Sequence, residues 1–323
     1  MQGKDIGLTD KEKYLGFILS SKGIKDSIKM TINDRIGKSW AKVKQIKNLL
    51  ASDLVRMEGW LKAGLTLFQS YIPATMLYSC EMWFMMDQTM TNQLESAMKS
   101  ILYTILEIPR NTKITAVFYE LGLMTAKHII QQRQITYVNH LKWQMRGTKV
   151  NRMLVAEWMN DKVNSVLGQV SRMCSEYGLP DVAVMELDND TIRERIKLVN
   201  KLELWTDARQ SRIVNCRPEF DQIVRQSWEL PRSEARALLF LRTGALRVKE
   251  VWRAFNSTKY GNLTCPMVGC VKTDSIEHLF SCDKYSTVHA GAIDIHESDD
   301  KVIADVIVKL SQERFTKHRM SLI

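Results

Sequence analysis

Glycine and proline are scarce in this chain, at 15 and 6 of its 323 residues. That scarcity excludes a collagen, a low-complexity linker and a sandwich of many short strands. Six cysteines are too few for a disulfide framework in a chain of this length. The most apolar stretch, residues 71–86, is too short to span a bilayer. We also see no secretory signal, so the sequence predicts an intracellular protein of the nucleus or cytoplasm without a membrane partner.

Positive charge is what the chain has in excess. Lysine and arginine outnumber aspartate and glutamate by 46 to 36, which gives a net charge of +10. The excess lies mainly in the first half, where residues 1–50 carry 11 basic and 5 acidic groups and residues 101–150 carry 7 and 2. A balance of this kind favours a polyanionic partner such as nucleic acid.

The apolar residues follow a helical period over most of the chain. Before that period sets in, residues 13–19 predict a strand, with turn residues at 20–23 and a return from Ile24. Near the C-terminus, Ser298 is expected to cap a terminal helix. The sequence therefore predicts a mainly α protein with an N-terminal β-hairpin. The helices are expected near 26–52, 56–80, 89–107, 113–121, 126–146, 151–177, 190–214, 218–228 and 232–255.

Three cysteines and a histidine crowd together near the C-terminus. Cys265, Cys270, His278 and Cys282 have the spacing C-x4-C-x7-H-x3-C. Three thiolates and one imidazole suit tetrahedral Zn²⁺, and four protein ligands make such a site structural. The alternatives are His289 as a substitute ligand, or four unrelated residues whose thiols act as small hydrophobes.

Four patches of sequence, in order, are similar to one known family. Lys-Tyr-Leu-Gly-Phe at 13–17, before a glycine turn and a long basic helix, resembles the segment after the catalytic palm of non-LTR (LINE-type) retrotransposon reverse transcriptases. Tyr-Ser-Cys-Glu-Met-Trp at 78–83 resembles a patch in that family's thumb, and residues 106–116 resemble its post-thumb segment. Residues 265–285 resemble its C-terminal zinc knuckle.

The resemblance implies a domain order and a missing activity. It implies a primer-grip-like hairpin remnant at 1–25, a thumb-like and post-thumb helical domain at 26–185, a helical linker domain at 186–258, and a zinc knuckle with a closing helix at 259–323. The family's catalytic aspartates precede the Tyr-Leu-Gly strand, where this chain has only thirteen residues, so no polymerase activity is expected. The acidic pair Asp299 and Asp300 is expected to start a helix rather than to form a nuclease site.

Basic side chains on the first long helix and after it are candidate phosphate ligands. Three of them form a line beside the apolar face of that helix, and two lie on its other flank. Tyr14 joins them through the resemblance alone, as a primer contact. The expected partner is RNA or an RNA/DNA duplex, with a palm supplied by a longer reverse transcriptase. The candidate nucleic-acid ligands are Tyr14, Arg35, Lys38, Lys42, Lys44, Lys47, Arg110 and Lys113.

Two other functions fit the same sequence. One is an α-helical scaffold that binds protein and uses zinc only to hold its fold. The other is a retrotransposon gene fragment without a present function. Binding to RNA or duplex that weakens steeply with salt would favour the nucleic-acid function over both.

Overall fold

The computed structural model describes residues 9–51, 59–110, 112–209, 230–246, 264–267, 270–282, 285 and 300–318. Within these ranges the chain is mainly α-helical, with one antiparallel hairpin and a C-terminal cysteine–histidine cluster, which confirms the predicted fold class. None of the helices in these ranges combines the length and apolar character needed to cross a membrane. The predicted helix at 218–228 lies outside the described residues, as do Cys216, Gly269, His289, Ser298 and Asp299.

The elements follow the predicted helical segments closely in the first half of the chain. A 3-10 turn, Cys80–Met82, lies between two of the longer helices. A π-helical turn, His140–Gln144, directly follows another. The strands and helices are β1 (Lys11–Tyr14), β2 (Phe17–Ser20), α1 (Ile24–Leu50), α2 (Trp60–Met76), α3 (Gln88–Leu106), α4 (Ile114–Glu120), α5 (Ala126–Asn139), α6 (Lys149–Asn160), α7 (Val166–Glu176), α8 (Asn189–Arg209), α9 (Arg232–Arg242), α10 (Ile276–Ser281) and α11 (Asp300–His318).

The hairpin turns earlier than the sequence suggested. Tyr14 pairs with Phe17, and the two residues between them, Leu15 and Gly16, have φ values of 46° and 83°. Positive φ at both positions is the geometry of a tight type I′ turn, which matches the twist of the two strands. The predicted strand over 13–19 is therefore wrong, because the chain reverses in its middle. Residues 20–23 lead into α1 instead of forming the hairpin turn.

The chain forms two compact units. Unit 1 comprises Met1–Lys42, Gln69–Lys99 and Met124–Leu202, and unit 2 comprises Val43–Phe68, Ser100–Leu123 and Glu203–Ile323. Helices α1, α2, α3 and α8 contribute residues to both units. The domain boundaries suggested by the family resemblance stay predictions.

One predicted helix, over 151–177, is two helices in unit 1. The chain breaks between α6 and α7, where the Asp161 carboxylate accepts hydrogen bonds from the backbone N–H groups of Val163 and Asn164 at 3.0 and 2.9 Å. Ser165 then caps α7, its hydroxyl oxygen accepting from the Gly168 N–H at 3.1 Å. Short polar side chains offer the backbone these local alternatives to helix, so the break was encoded in the Asn-Asp…Asn-Ser composition of residues 160–165.

One apolar cluster in the core of unit 1 lies between α5, α6, α7 and the start of α8. Burial of apolar side chains supplies its main stabilisation, at roughly 25 cal/mol per Å² removed from water. Its fully buried members include Ile135, Val138, Leu167, Val170, Cys174, Val182, Ile192 and Ile196.

Unit 2 combines apolar packing with one buried ion pair. Helix α9 packs on α11, whose Ile303, Ile307 and Leu310 are buried. Helix α9 also meets α4, where Arg242 lies 3.5 Å from Glu120 and both side chains are about 5% exposed or less. Burying this pair costs desolvation energy. Removing either side chain would leave the other charge buried without compensation.

Candidate functional site

The first two cysteines of the cluster lie in a small backbone turn. Thr264 and Thr273 form a bridge across its base, and the Cys265 N–H donates to the Lys272 carbonyl at 2.8 Å. At the tip, the Cys270 N–H donates to the Met267 carbonyl at 3.0 Å. This turn brings two cysteines that are five residues apart to the same side.

The other two members of the cluster are placed by α10. The Ser275 hydroxyl caps this helix by accepting from the His278 N–H at 3.1 Å, which fixes His278 in the first turn. Cys282 follows the last helical residue. Helical spacing then brings the histidine and the cysteine to one face, because residues four apart lie one above the other.

The four side chains converge on one point. The Cys270 Sγ lies 3.2 Å from the His278 Nε2 and 3.9 Å from the Cys282 Sγ. All four ligand atoms, including the Cys265 Sγ, lie within 4.8 Å of one another. A tetrahedron with Zn–S bonds near 2.3 Å has edges of about 3.8 Å, so the spacing fits a tetrahedral ion. The prediction that Cys265, Cys270, His278 and Cys282 group together is confirmed, and the group can hold a metal ion.

Burial sets the electrostatics of this cluster. Cys265, Cys282 and His278 are buried, while Cys270 is partly exposed. Burial raises the pKa of the Cys265 thiol to about 12, and the neighbouring Cys282 and Cys270 thiols add to the effect. Ionising these thiols without a nearby positive charge therefore costs free energy. A bound cation reverses this balance, because the ligand is the thiolate and binding releases its proton.

Two cysteines outside the cluster have the character of core residues. Cys80 and Cys174 are buried, and burial raises the pKa of their thiols to about 12 and about 11. Neither thiol has the lowered pKa of a reactive cysteine.

Most of the candidate nucleic-acid ligands are accessible. Tyr14 is 66% exposed at the end of β1, and Arg110 is exposed before α4. Lys38, Lys44 and Lys47 are exposed on α1, and Lys42 is half-exposed. Lys38 is held by Asp34 at 2.7 Å, which leaves it partly neutralised.

Two of the candidates are committed to contacts within the protein. Arg35 is only 8% exposed; its Nη2 donates to the Gly16 carbonyl at 2.9 Å, and its guanidinium lies 4.4 Å from the centre of the Tyr78 ring. Lys113 donates to the backbone carbonyl of Asp207 and lies 3.4 Å from its carboxylate. We therefore leave Arg35 and Lys113 out of the proposed phosphate contacts.

The thumb-like patch at 78–83 has a structural explanation in unit 1. Trp83 is almost fully buried, and Glu81 lies 3.9 Å from Arg133. The same guanidinium donates to the Leu77 carbonyl at 2.9 Å. The glutamate and tryptophan of this patch therefore fix the turn after α2 against α5.

An open polar groove of about 420 Å³ lies along α5 in unit 1. The sequence did not point to this groove, although Glu81 of its lining belongs to the patch at 78–83. The signal that was missed is the run of polar side chains at helical spacing on α5 and the turn after it. The groove is lined by Glu81, Gln132, Arg133, Thr136, Tyr137, His140, Gln144, Asn189 and Arg193.

No protein-family model, curated protein or solved structure matches this chain. The likeness to LINE-type reverse transcriptases therefore rests on the four sequence patches alone.

Proposed function

We propose that this chain binds nucleic acid as the post-catalytic region of a LINE-type reverse transcriptase and has no polymerase site of its own. The observation that carries the proposal is the cationic surface of α1. Among the described residues, Lys42, Lys44 and Lys47 have no acidic partner, in a chain whose net charge is +10. Lysines without partners on a helix suit the phosphates of a nucleic-acid backbone.

RNA or an RNA/DNA duplex is the proposed partner, in the nucleus or cytoplasm. A longer reverse transcriptase would supply the palm that performs the chemistry. The polar groove along α5 adds hydrogen-bond donors and acceptors of the kind that contact bases and phosphates, including the Gln132 and Gln144 amides and the Arg193 guanidinium. These groups position a strand and do not catalyse its extension.

The metal of the C-terminal cluster is proposed to be Zn²⁺ with a structural role. Its three thiolates and one imidazole are the donor set of a closed zinc site, which leaves no position for a substrate water. Helix α10 has only six residues, too few to be stable alone, so the free energy of metal binding would hold it in place.

The test is the affinity of the full chain for a fluorescent RNA/DNA duplex, measured by anisotropy. The variant Lys44→Gln/Lys47→Gln is expected to bind at least about tenfold more weakly at moderate salt, since it loses two phosphate contacts. The matched control, Lys197→Gln/Lys309→Gln, removes the same charge from lysines already paired with Glu194 and Asp305. Equal weakening in the two variants would contradict contacts made by α1.

A further inference from the structure

Helix α6 stands at the surface of unit 1 with little of it buried. Only Asn151 and Leu154 of its twelve residues are buried. The Asn151 amide donates to the carbonyls of Leu141 and Lys142 at 3.0 and 2.8 Å, which ties the helix to the π-helical turn. The opposite side of α6 faces away from the core.

That outer side carries large apolar side chains instead of a fully polar face. Met153 is 63% exposed and Met159 is 65% exposed. Val150, at the start of the helix, and Val163, just after its end, are exposed to a similar degree. These four side chains and the cations around them are called the α6 surface below. The cations of this segment are Lys142, Arg146, Lys149, Arg152 and Lys162. Its two carboxylates, Glu157 and Asp161, accept hydrogen bonds from backbone N–H groups between 163 and 166.

Two cations of the α6 surface lie at the end of α6 where the helix dipole is unfavourable for positive charge. Lys149 and Arg152 lie in the first turn of α6, and that turn contains no acidic residue. The positive end of the helix dipole disfavours cations there. Among the described residues, neither side chain has an acidic partner. A partner carboxylate placed at this end would offset both effects.

The Trp158 ring beside the surface is only partly exposed and has two lysine neighbours. The ring centre lies 6.0 Å from the Nζ of Lys142 and 5.4 Å from that of Lys162. An RNA-binding surface would offer open ring faces for bases to stack on. The groups that remain exposed here are thioethers and methyl groups. Bases and phosphates cannot form hydrogen bonds with them. Methionines adapt well to the side chains of a docked helix.

We propose that the α6 surface docks an acidic amphipathic helix of a protein partner. The partner's apolar side chains, at positions i, i+3, i+4 and i+7, contact Val150 and Met153, which are three residues apart and therefore share one side of α6. Its flanking carboxylates pair with Lys149 and Arg152, so that apolar burial gives affinity and charge gives orientation. This partner is distinct from nucleic acid, and the proposal does not depend on nucleic-acid binding.

The test is a selection from displayed random peptides of about 16 residues, long enough for four helical turns. The target is the full chain, and the enriched peptides are then measured against variants. Enriched peptides are expected to carry glutamate and aspartate around apolar residues at helical spacing. They should bind Met153→Glu, and also Lys149→Glu/Arg152→Glu, at least about tenfold more weakly.

Met82→Glu is the matched control, because Met82 is 59% exposed in unit 1 but lies outside α6. Binding should stay within about twofold of wild type in that variant, since it leaves every contact in place. The charge-reversal variant should fold well, as acidic residues favour the first turn of a helix. Enriched peptides without acidic excess, or peptides that bind Met153→Glu as well as wild type, would overturn the proposal. So would loss of RNA binding or of anionic-vesicle binding in Met153→Glu, since either result assigns the surface to another partner.

Discussion

Gly16 and Arg35 together hold the N-terminal hairpin on α1. Gly16 has a φ of 83°, and a Cβ at this position would overlap the Nη2 of Arg35, which donates to the carbonyl of Gly16. The centre of the Tyr78 ring lies 4.4 Å from the same guanidinium. The arginine that sequence reasoning assigned to a phosphate is therefore part of the local fold. Its role depended on a turn whose position the sequence pattern did not reveal.

Replacing Gly16 with alanine should loosen the hairpin. We expect Gly16→Ala to destabilise it by about 1–3 kcal/mol, because alanine is strained at positive φ and its methyl group displaces Arg35. Amide hydrogen exchange at β2 measures the effect. Gly37→Ala is the control, since Gly37 has open space around it in α1, and alanine there should stabilise the helix by about 0.5–1 kcal/mol. Equal protection of β2 in Gly16→Ala and wild type would show that the contact with Arg35 is unimportant.

His128 should make the protein less stable in mild acid. Its ring is buried near Tyr177, and burial, helped by Lys127, lowers its pKa from 6.5 to about 4. Between those values the unfolded chain binds a proton that the folded chain does not, so stability falls as the pH drops through 6.5 and levels off below 4. The loss between pH 7 and pH 5 is about 2 kcal/mol.

Urea unfolding of wild type and His128→Gln at the two pH values measures this loss. Acid would also weaken any metal binding at the cysteine–histidine cluster, so only the difference between the two proteins reports on His128. We expect the variant to lose about 2 kcal/mol less than wild type on acidification. An identical pH dependence in the two proteins would mean that His128 is protonated in the folded state.

At the scale of elements, periodicity was informative where a helix has one buried face. Helices α1 and α3 formed close to the predicted ranges, because their apolar residues fall on one side. Two local features were missed. The turn at Leu15 places a leucine where asparagine or glycine is usual, so the stronger turn signal at 20–23 misled the prediction. The break after α6 depends on hydrogen bonds that the Asp161 carboxylate accepts from the backbone, which compete with a continuous helix.

The cysteine–histidine cluster is a local element that the sequence predicted well. Its four ligands lie within eighteen residues, so ligand type and spacing carried the prediction without tertiary information. The bridge at Thr264 and the cap at Ser275 show how the local backbone orients those ligands. The proposal that the ion is Zn²⁺ rests on the ligand types alone.

Removal of one ligand should release the metal and unfold the knuckle. We expect one zinc ion per wild-type chain by elemental analysis and none in Cys265→Ser, with loss of helical circular dichroism from the C-terminal region. Cys174→Ala is the control, because it removes a buried thiol outside the cluster and should retain the metal. Full helicity and an unchanged melting temperature in Cys265→Ser would show that the metal does not hold this part of the fold.

At the scale of the whole molecule, charge was the property that composition reported best. The net charge of +10 predicted a polyanionic partner, yet it did not show which cations are free. The structure separates them, since Arg35 and Lys113 are occupied while Lys44 and Lys47 are open. Composition also did not indicate the α6 surface, because that surface is defined by which apolar side chains lie outside the core.

The salt dependence of duplex binding by the full chain tests the nucleic-acid account most directly. Each phosphate contact contributes about 0.9 to the slope of log affinity against log salt, so four contacts give a slope of about −3.6. The account predicts a slope at least this steep for wild type and one shallower by about 1.8 for Lys44→Gln/Lys47→Gln. A flat dependence in wild type, or the same slope in both proteins, would contradict it.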